Sequence, residues 1–308
     1  MVSRGYYSAD VKPVLSIKSG ELVRVETVSG DPDTLVRLGV PESDVNVRDL
    51  RRINAQMKEP GPILLGPISV TGAEPGDVLQ VDILEISPRS NYGVNHFAPE
   101  HGLLPDEFPY LRYKLIWLDQ DSKVAMFGPK IGIPIRPFFG SMGVAPPVGR
   151  VDMIPPGYYA GNMDNKELIA GSTLYLPIQK AGALFSISDG HLAMGDGEVD
   201  LSAIEAPLTG LLRFTVRKDM KLRWPRAETP THFITMGFHP NLEEATRRAA
   251  LEMIDYLVST RGMTRDEAYM LTSVAVDLHI TQVVDGVKGV HAMLPKAIFE
   301  KDVLPARK

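Results

Sequence analysis

A mainly β protein, with a sandwich-like or barrel-like body and a C-terminal α+β subdomain, is what three features of this sequence predict. From residue 14 to about residue 216 the chain is a succession of short runs rich in Val, Ile and Leu, each broken by Gly or Pro; strands of a sandwich or barrel read this way. Helical periodicity is nearly missing there. After Pro230 the pattern becomes a strand, two capped helices and a returning strand, which is a compact α+β unit. The expected division is therefore a β-rich body at residues 1–226, carrying most of the functional residues, and a tail at residues 227–308.

Within the body, residues 14–17 and 21–26 read as paired strands around Ser19-Gly20. Residues 78–86 alternate, and Leu79, Val81, Ile83 and Glu85 form the side expected to be buried. Residues 87–109, rich in Pro, Gly, Asn and His, read as a long loop that is either functional or a surface excursion. Residues 132–161 contain six prolines, so their backbone is expected to be stiff and mostly extended. In the tail, residues 231–238 read as a strand. Asn241 with Glu244, and Thr264 with Glu267, mark two capping boxes. Leu242, Ala245, Ala249, Met253 and Leu257 share one helix face, and residues 277–284 return as a strand.

Composition excludes several classes. The chain of 308 residues is 44% hydrophobic and 23% charged, so it can bury a sizeable core. Its net charge of -5, with 33 basic against 38 acidic side chains, gives no reason to expect nucleic acid as a partner. The basic stretch Arg217, Lys218, Lys221, Arg223 and Arg226 reads as an exposed connection. No cysteine is present, which removes disulfides, thiolate metal sites and a catalytic thiol. No run of apolar residues is long enough to span a membrane, and the expectation is a cytoplasmic, non-membrane protein. Serine-elbow, zinc-helix and phosphate-loop motifs are absent too.

The chemistry concentrates between Ser186 and Glu198. If residues 183–192 form a strand, Asp189 and His191 project from the same face, as half of a metal site or as an orienting pair for general-base work. Gly195-Asp196-Gly197 has the chemistry of a tight hairpin that would carry Glu198 back toward His191, on a side set by register. Asp196 itself reads as a turn residue. Upstream, Gly161-Asn162-Met163-Asp164 offers a hard oxygen ligand in Asp164 and a hydrogen-bond donor for a carbonyl in Asn162, or simply a turn. Phe138 and Phe139, between prolines, either wall a small pocket or belong to the core. His96 and His101 flank Glu100 without a helix to align them. His232, His239, His279 and His291 read as structural.

Four runs, Gly161-Asn162-Met163-Asp164, Gly171-Ser172-Thr173-Leu174-Tyr175-Leu176-Pro177, Ala193-Met194-Gly195-Asp196-Gly197-Glu198 and Thr281-Gln282-Val283-Val284, closely resemble the acetamidase/formamidase family in order and spacing. Arg136-Pro137 leading to Gly143-Val144-Ala145-Pro146, and Asp277 with Gln282, resemble further family landmarks. The resemblance implies hydrolysis of short amides to ammonia and a carboxylate, and homo-oligomers, dimeric or higher. It favours Asp164, Asp189, His191 and Glu198 as the active-site cluster. Where the family has a second glycine before Gly161, this chain has Ala160, which leaves the substrate open. The resulting expectation is a divalent metal, zinc first and calcium second, on Asp164, Asp189 and His191, with Glu198, His191 and Asp189 catalytic and Asn162 and Phe138 at the substrate. The alternatives are a metal-binding protein without catalysis, or a hydrolase of another linear or cyclic amide.

Overall fold

Apolar residues that alternate along the sequence become two large sheets joined by one core. The structure, a computed structural model, describes residues 2–57, 61–119 and 121–299. In the first sheet, Phe138–Gly143 lies between Phe185–His191 and Ala160–Asn162, antiparallel to both. Ile63–Val70 flanks Phe185–His191 on its other side. Every residue of Phe138–Gly143 is buried. The second sheet has eight strands and runs from Asp277–Gln282 through Lys288–Pro295, His232–His239, Arg226–Glu228, Thr173–Pro177, Val78–Pro88 and Leu208–Arg217 to Leu22–Glu26. Leu64, Met142 and Ile187 from one sheet share a core with Val81, Leu174 and Phe214 from the other. The protein is mainly β, and none of the described sheets closes into a barrel.

Several local expectations change. Leu15–Ile17 and Leu22–Glu26 do not form a hairpin: the first runs parallel to Ile63–Val70 and the second pairs with Leu208–Arg217. The turn at Ser19-Gly20 carries the chain from one sheet to the other. Leu79, Val81 and Ile83 are buried, but Glu85 is exposed. Leu211 faces Glu85 and Leu212 faces Ile83, so Leu84 is an extra residue that reverses the alternation beyond it. Residues 87–109 are not one loop, since Tyr92–Phe97 is an edge strand of a four-stranded sheet with Arg112–Asp119, Val124–Gly128 and Ile131–Pro134. Residues 132–161 likewise hold the buried strand Phe138–Gly143, with the proline pairs 146–147 and 155–156 confined to connections.

Two helices in the body, Pro32–Arg37 and Val45–Gln56, were not expected. Each starts at an aspartate whose side chain accepts a backbone N–H, Asp31 from Thr34 and Asp44 from Asn46 and Val47. Their apolar stripe is narrow: Leu35, Val47 and Leu50 pack with Tyr92 and Val94 in a small separate core. The tail's helices follow the prediction, Leu242–Arg261 capped by Asn241 and Arg265–Ala275 by a full capping box at Thr264, whereas the returning strand ends at Gln282 and a further strand, Lys288–Pro295, was not expected. Ala245, Ala249, Met253 and Leu257 make a third apolar cluster with Val290, Ala292 and Leu294. The tail strands nevertheless continue the body's eight-stranded sheet, and residue 226 begins the strand Arg226–Glu228 within it.

Candidate active site

The buried strand Phe138–Gly143 positions the site because it lacks a side chain at Gly140. A Cβ there would collide with Asp164 Oδ1, Asp189 Oδ2 and the ring of His191, so the three groups converge over the glycine's bare backbone. Asp164 is held from below, the N–H groups of Met163 and Asp164 donating to the carbonyl of Gly140 at 3.0 and 3.1 Å. His191 lies opposite Phe138 in the strand register, and the Phe138 ring packs edge-on against its imidazole, centroids 4.9 Å apart. Asp164, Asp189 and Glu198 all have left-handed φ, at 51°, 63° and 46°. Such backbone persists where the surroundings over-determine it, typically at functional sites.

Glu198 arrives by a route other than a tight hairpin. The chain leaves the strand after His191 and returns antiparallel at Glu205, which pairs with His191 and with Val94. A tight turn at residues 195–197 is therefore replaced by an excursion that turns back only beyond Ser202. Within it, Gly197 is gripped by the tail: its N–H donates to Thr281 O, and the N–H of Val283 donates to Gly197 O, both at 3.1 Å. Gln282 is fully buried; its Oε1 accepts from the N–H groups of Val284 and Asp285 at 2.9 and 3.2 Å, shaping the turn that presents Asp285.

His191 Nε2 lies 3.3 Å from Asp189 Oδ2 and 3.1 Å from Glu205 Oε1. Burial opposes the imidazolium, yet Glu205 and Asp189 hold the His191 pKa well above its ordinary value. Burial likewise works against ionised Asp189, but His191 keeps its pKa below the usual range. Asp164 and Glu198 are pushed well above ordinary carboxylates, by burial first and then by neighbouring carboxylates, Glu198 and Asp285 on Asp164, and Asp285 and Glu205 on Glu198. Burial raises Glu205 to about 7 and Asp285 to about 6. Five carboxylates thus surround one imidazole. Ligand atoms of Asp164, His191 and Glu198 lie within 4.8 Å of one another, as do those of Asp189, His191 and Glu205.

The structure brings together Asp164, Asp189, His191 and Glu198 as the sequence predicts. Asn162 is there too, but its Nδ2 donates to Asp164 at 2.9 Å and to Asp285 at 3.1 Å. Phe138 is wholly buried beneath His191 and braces the ring instead of walling a cavity. Glu205 and Asp285 were missed. Asp285 stands one residue past the Thr281-Gln282-Val283-Val284 run, whereas nothing in the spacing around Glu205 announces it. Asp189, Glu198, Glu205, Asn162 and Asp285 line a cavity of about 790 Å³ that opens to solvent, together with His96 and His101 from the segment read as a loop. Asp196 does more than shape a turn, joining Lys166 and His279 in ion pairs at 2.9 Å each.

The acetamidase/formamidase family model matches residues 4–154 and 148–301, nearly the whole chain. This chain belongs to that family. As an amide hydrolase of this kind it has full-length relatives: it is 27% identical to a formamidase of Methylophilus methylotrophus, over 96% of this chain and 89% of that one. An acetamidase of Mycolicibacterium smegmatis is also 27% identical, over 64% of this chain and 61% of its own length. The crystal structure of an acetamidase from Bacillus halodurans superposes with a TM-score of 0.83 and 31% identity, covering 96% of each chain. That acetamidase therefore shares the fold of this chain over nearly its whole length. No described helix is long and apolar enough to cross a membrane.

Proposed function

We propose that this family member hydrolyses the C–N bond of a linear amide of the formamide or acetamide type, releasing ammonia and a carboxylate, at Asp164, Asp189, His191 and Glu198. The observation that carries the reading is a surplus of buried carboxylates with two orphaned atoms among them: Asp164 Oδ1 and His191 Nδ1 are buried without a hydrogen-bond partner. Each such atom costs about 1–3 kcal/mol, and a cation among them would offset both that cost and the mutual repulsion. One imidazole and hard carboxylate oxygens suit zinc, with calcium second. Asp164, Asp189 and His191, crowded over Gly140, would hold it. When bound, the ion supplies Lewis acidity, easing deprotonation of water and polarising the amide oxygen.

The chain's own groups do the rest. Glu198 lines the cavity and its carboxylate takes the proton of the attacking water, then returns it to the nitrogen as the C–N bond breaks. Glu205 fixes the imidazole through Nε2. Both Nδ2 hydrogens of Asn162 are committed to carboxylates, so its contribution is the acceptor Oδ1, which suits the N–H of the substrate amide and not its carbonyl. The same reading takes the protein as a cytoplasmic homo-oligomer, testable by sedimentation. The deciding experiment measures ammonia release and metal content together. Chelation abolishes turnover and added zinc restores it, and Gly140→Ala, which fills the cradle, loses metal and at least about 100-fold in rate. A metal-free protein with full activity overturns the metal assignment, and metal binding without ammonia release overturns the amidase.

A further inference from the structure

The cavity is far larger than a formamide or acetamide requires. At roughly 30 Å³ per water-sized group, either substrate fills on the order of 100 Å³ of a space of about 790 Å³. Cavities of that size match ligands the size of drugs. The surplus is more apolar than the charged cluster: its wall includes Val28, Leu35, Leu50, Ile63, Val94 and Ile154, with Asp31, Thr34, Asn54, His96 and His101 among them. Four of these, Val28, Leu35, Leu50 and Val94, belong to the separate small core built by the two helices of the body. The helical pair contributes none of the clustered carboxylates, so its place on the same cavity calls for a reason other than catalysis.

We propose that the cavity is an acyl subsite, and that the preferred substrates are primary amides whose acyl group carries an extended apolar chain or ring. The proposal rests on the amidase reading: with nitrogen leaving as ammonia, the nitrogen side of the substrate stays small and the remaining volume falls to the acyl side. Apolar walls reward each methylene that leaves water, by about 0.8 kcal/mol or roughly fourfold. The apolar wall, Ile63, Val94 and Ile154 with it, thereby sets specificity, while the sheet beneath supplies the reaction.

The test is ammonia release by the full-length, metal-loaded protein from formamide, acetamide, butanamide, hexanamide and benzamide. kcat/KM is expected to rise along the aliphatic series and to be at least tenfold higher for hexanamide than for acetamide. Ile154 is half-exposed on a connection, so replacing it disturbs little packing, and Ile154→Trp should lower the hexanamide-to-acetamide ratio at least tenfold. A ratio flat or falling from acetamide to hexanamide overturns the acyl subsite and leaves the amidase standing; a second copy of the chain filling the cavity would give this result. A steep rise that Ile154→Trp leaves untouched also overturns it, by placing the acyl group elsewhere. No ammonia from any amide overturns the amidase reading itself.

Discussion

Two clusters of histidine and carboxylate lie close to Glu198, one enclosed and one half-open to solvent, and they carry charge in different ways. Around His191, five carboxylates meet one imidazole, and two buried atoms are left without partners. Around Asp196 the charges balance: Lys166 Nζ and His279 Nδ1 each lie 2.9 Å from the carboxylate. His279 stacks on His291, planes 8° apart and centroids 4.9 Å apart, and His291 Nδ1 pairs with Thr281 Oγ1 at 2.7 Å. The same residue types therefore build an enclosed, carboxylate-rich site and a half-open one, although His291 Nε2 in the second is also buried without a partner. Lys166 and solvent together make the difference, since a resident cation and water at the exposed Asp196 lessen the need for an external ion.

That contrast is easiest to break through catalysis. Glu198→Gln should lower kcat/KM by about 10²–10⁴, the range for losing a general acid or base, while Asp196→Asn, two residues away, should cost less than tenfold. Comparable losses in steady-state assays would mean that both clusters serve the reaction. A smaller effect concerns pH. Burial, aided by His279, holds the His291 pKa down at about 3, against an ordinary 6.5 in the unfolded chain. Between those values the unfolded chain binds a proton that the folded one refuses, so stability is full above pH 6.5 and is lost as pH falls toward 3. At pH 5 the loss from this residue is on the order of 2 kcal/mol. Denaturant titrations of wild type and His291→Gln at pH 7 and pH 5 should show that difference only in the wild type; equal slopes would place the proton elsewhere.

The smallest effect sharpens the role of backbone strain. Ala160 has a φ of 69° and is fully buried, in the left-handed region that costs a non-glycine residue about 1–2 kcal/mol. Ala160→Gly should thus stabilise the fold by up to about 1 kcal/mol, since glycine gives back part of the gain as unfolded-state entropy. Thermal unfolding that shows no change, or a loss, would mean that the methyl group's packing outweighs the strain.

The tail was legible because its signals are local: Asn241 and Thr264 cap helices, and a stripe at Ala245, Ala249 and Met253 declares the buried face. Leu15–Ile17 and Leu22–Glu26 were legible as strands but not as partners, because pairing is decided by distant residues. The helix Val45–Gln56 hid behind a stripe of two buried apolar side chains. In the site, Asp189 and His191 could be joined by strand geometry, and Asp164 and Glu198 by family resemblance. Glu205 could not, for it reaches His191 only through an excursion whose length is set by its grip on Val94 and the tail. Gly140 was likewise silent: its importance lies in the atoms crowding a side chain that is not there.

Gln282 and its neighbours hold the Glu198 segment and turn Asp285 into the cluster, so the last quarter of the chain completes what the first three quarters begin. During synthesis, a ribosome that has produced the entire β-rich body has yet to deliver the residues that fix this carboxylate arrangement. On the proposed site, a chain cut short of its C-terminal strands lacks Asp285 and the grip on Gly197, and it also loses Ile234, Met236, Phe238 and Met293 from the main core, so fold and turnover are expected to fail together.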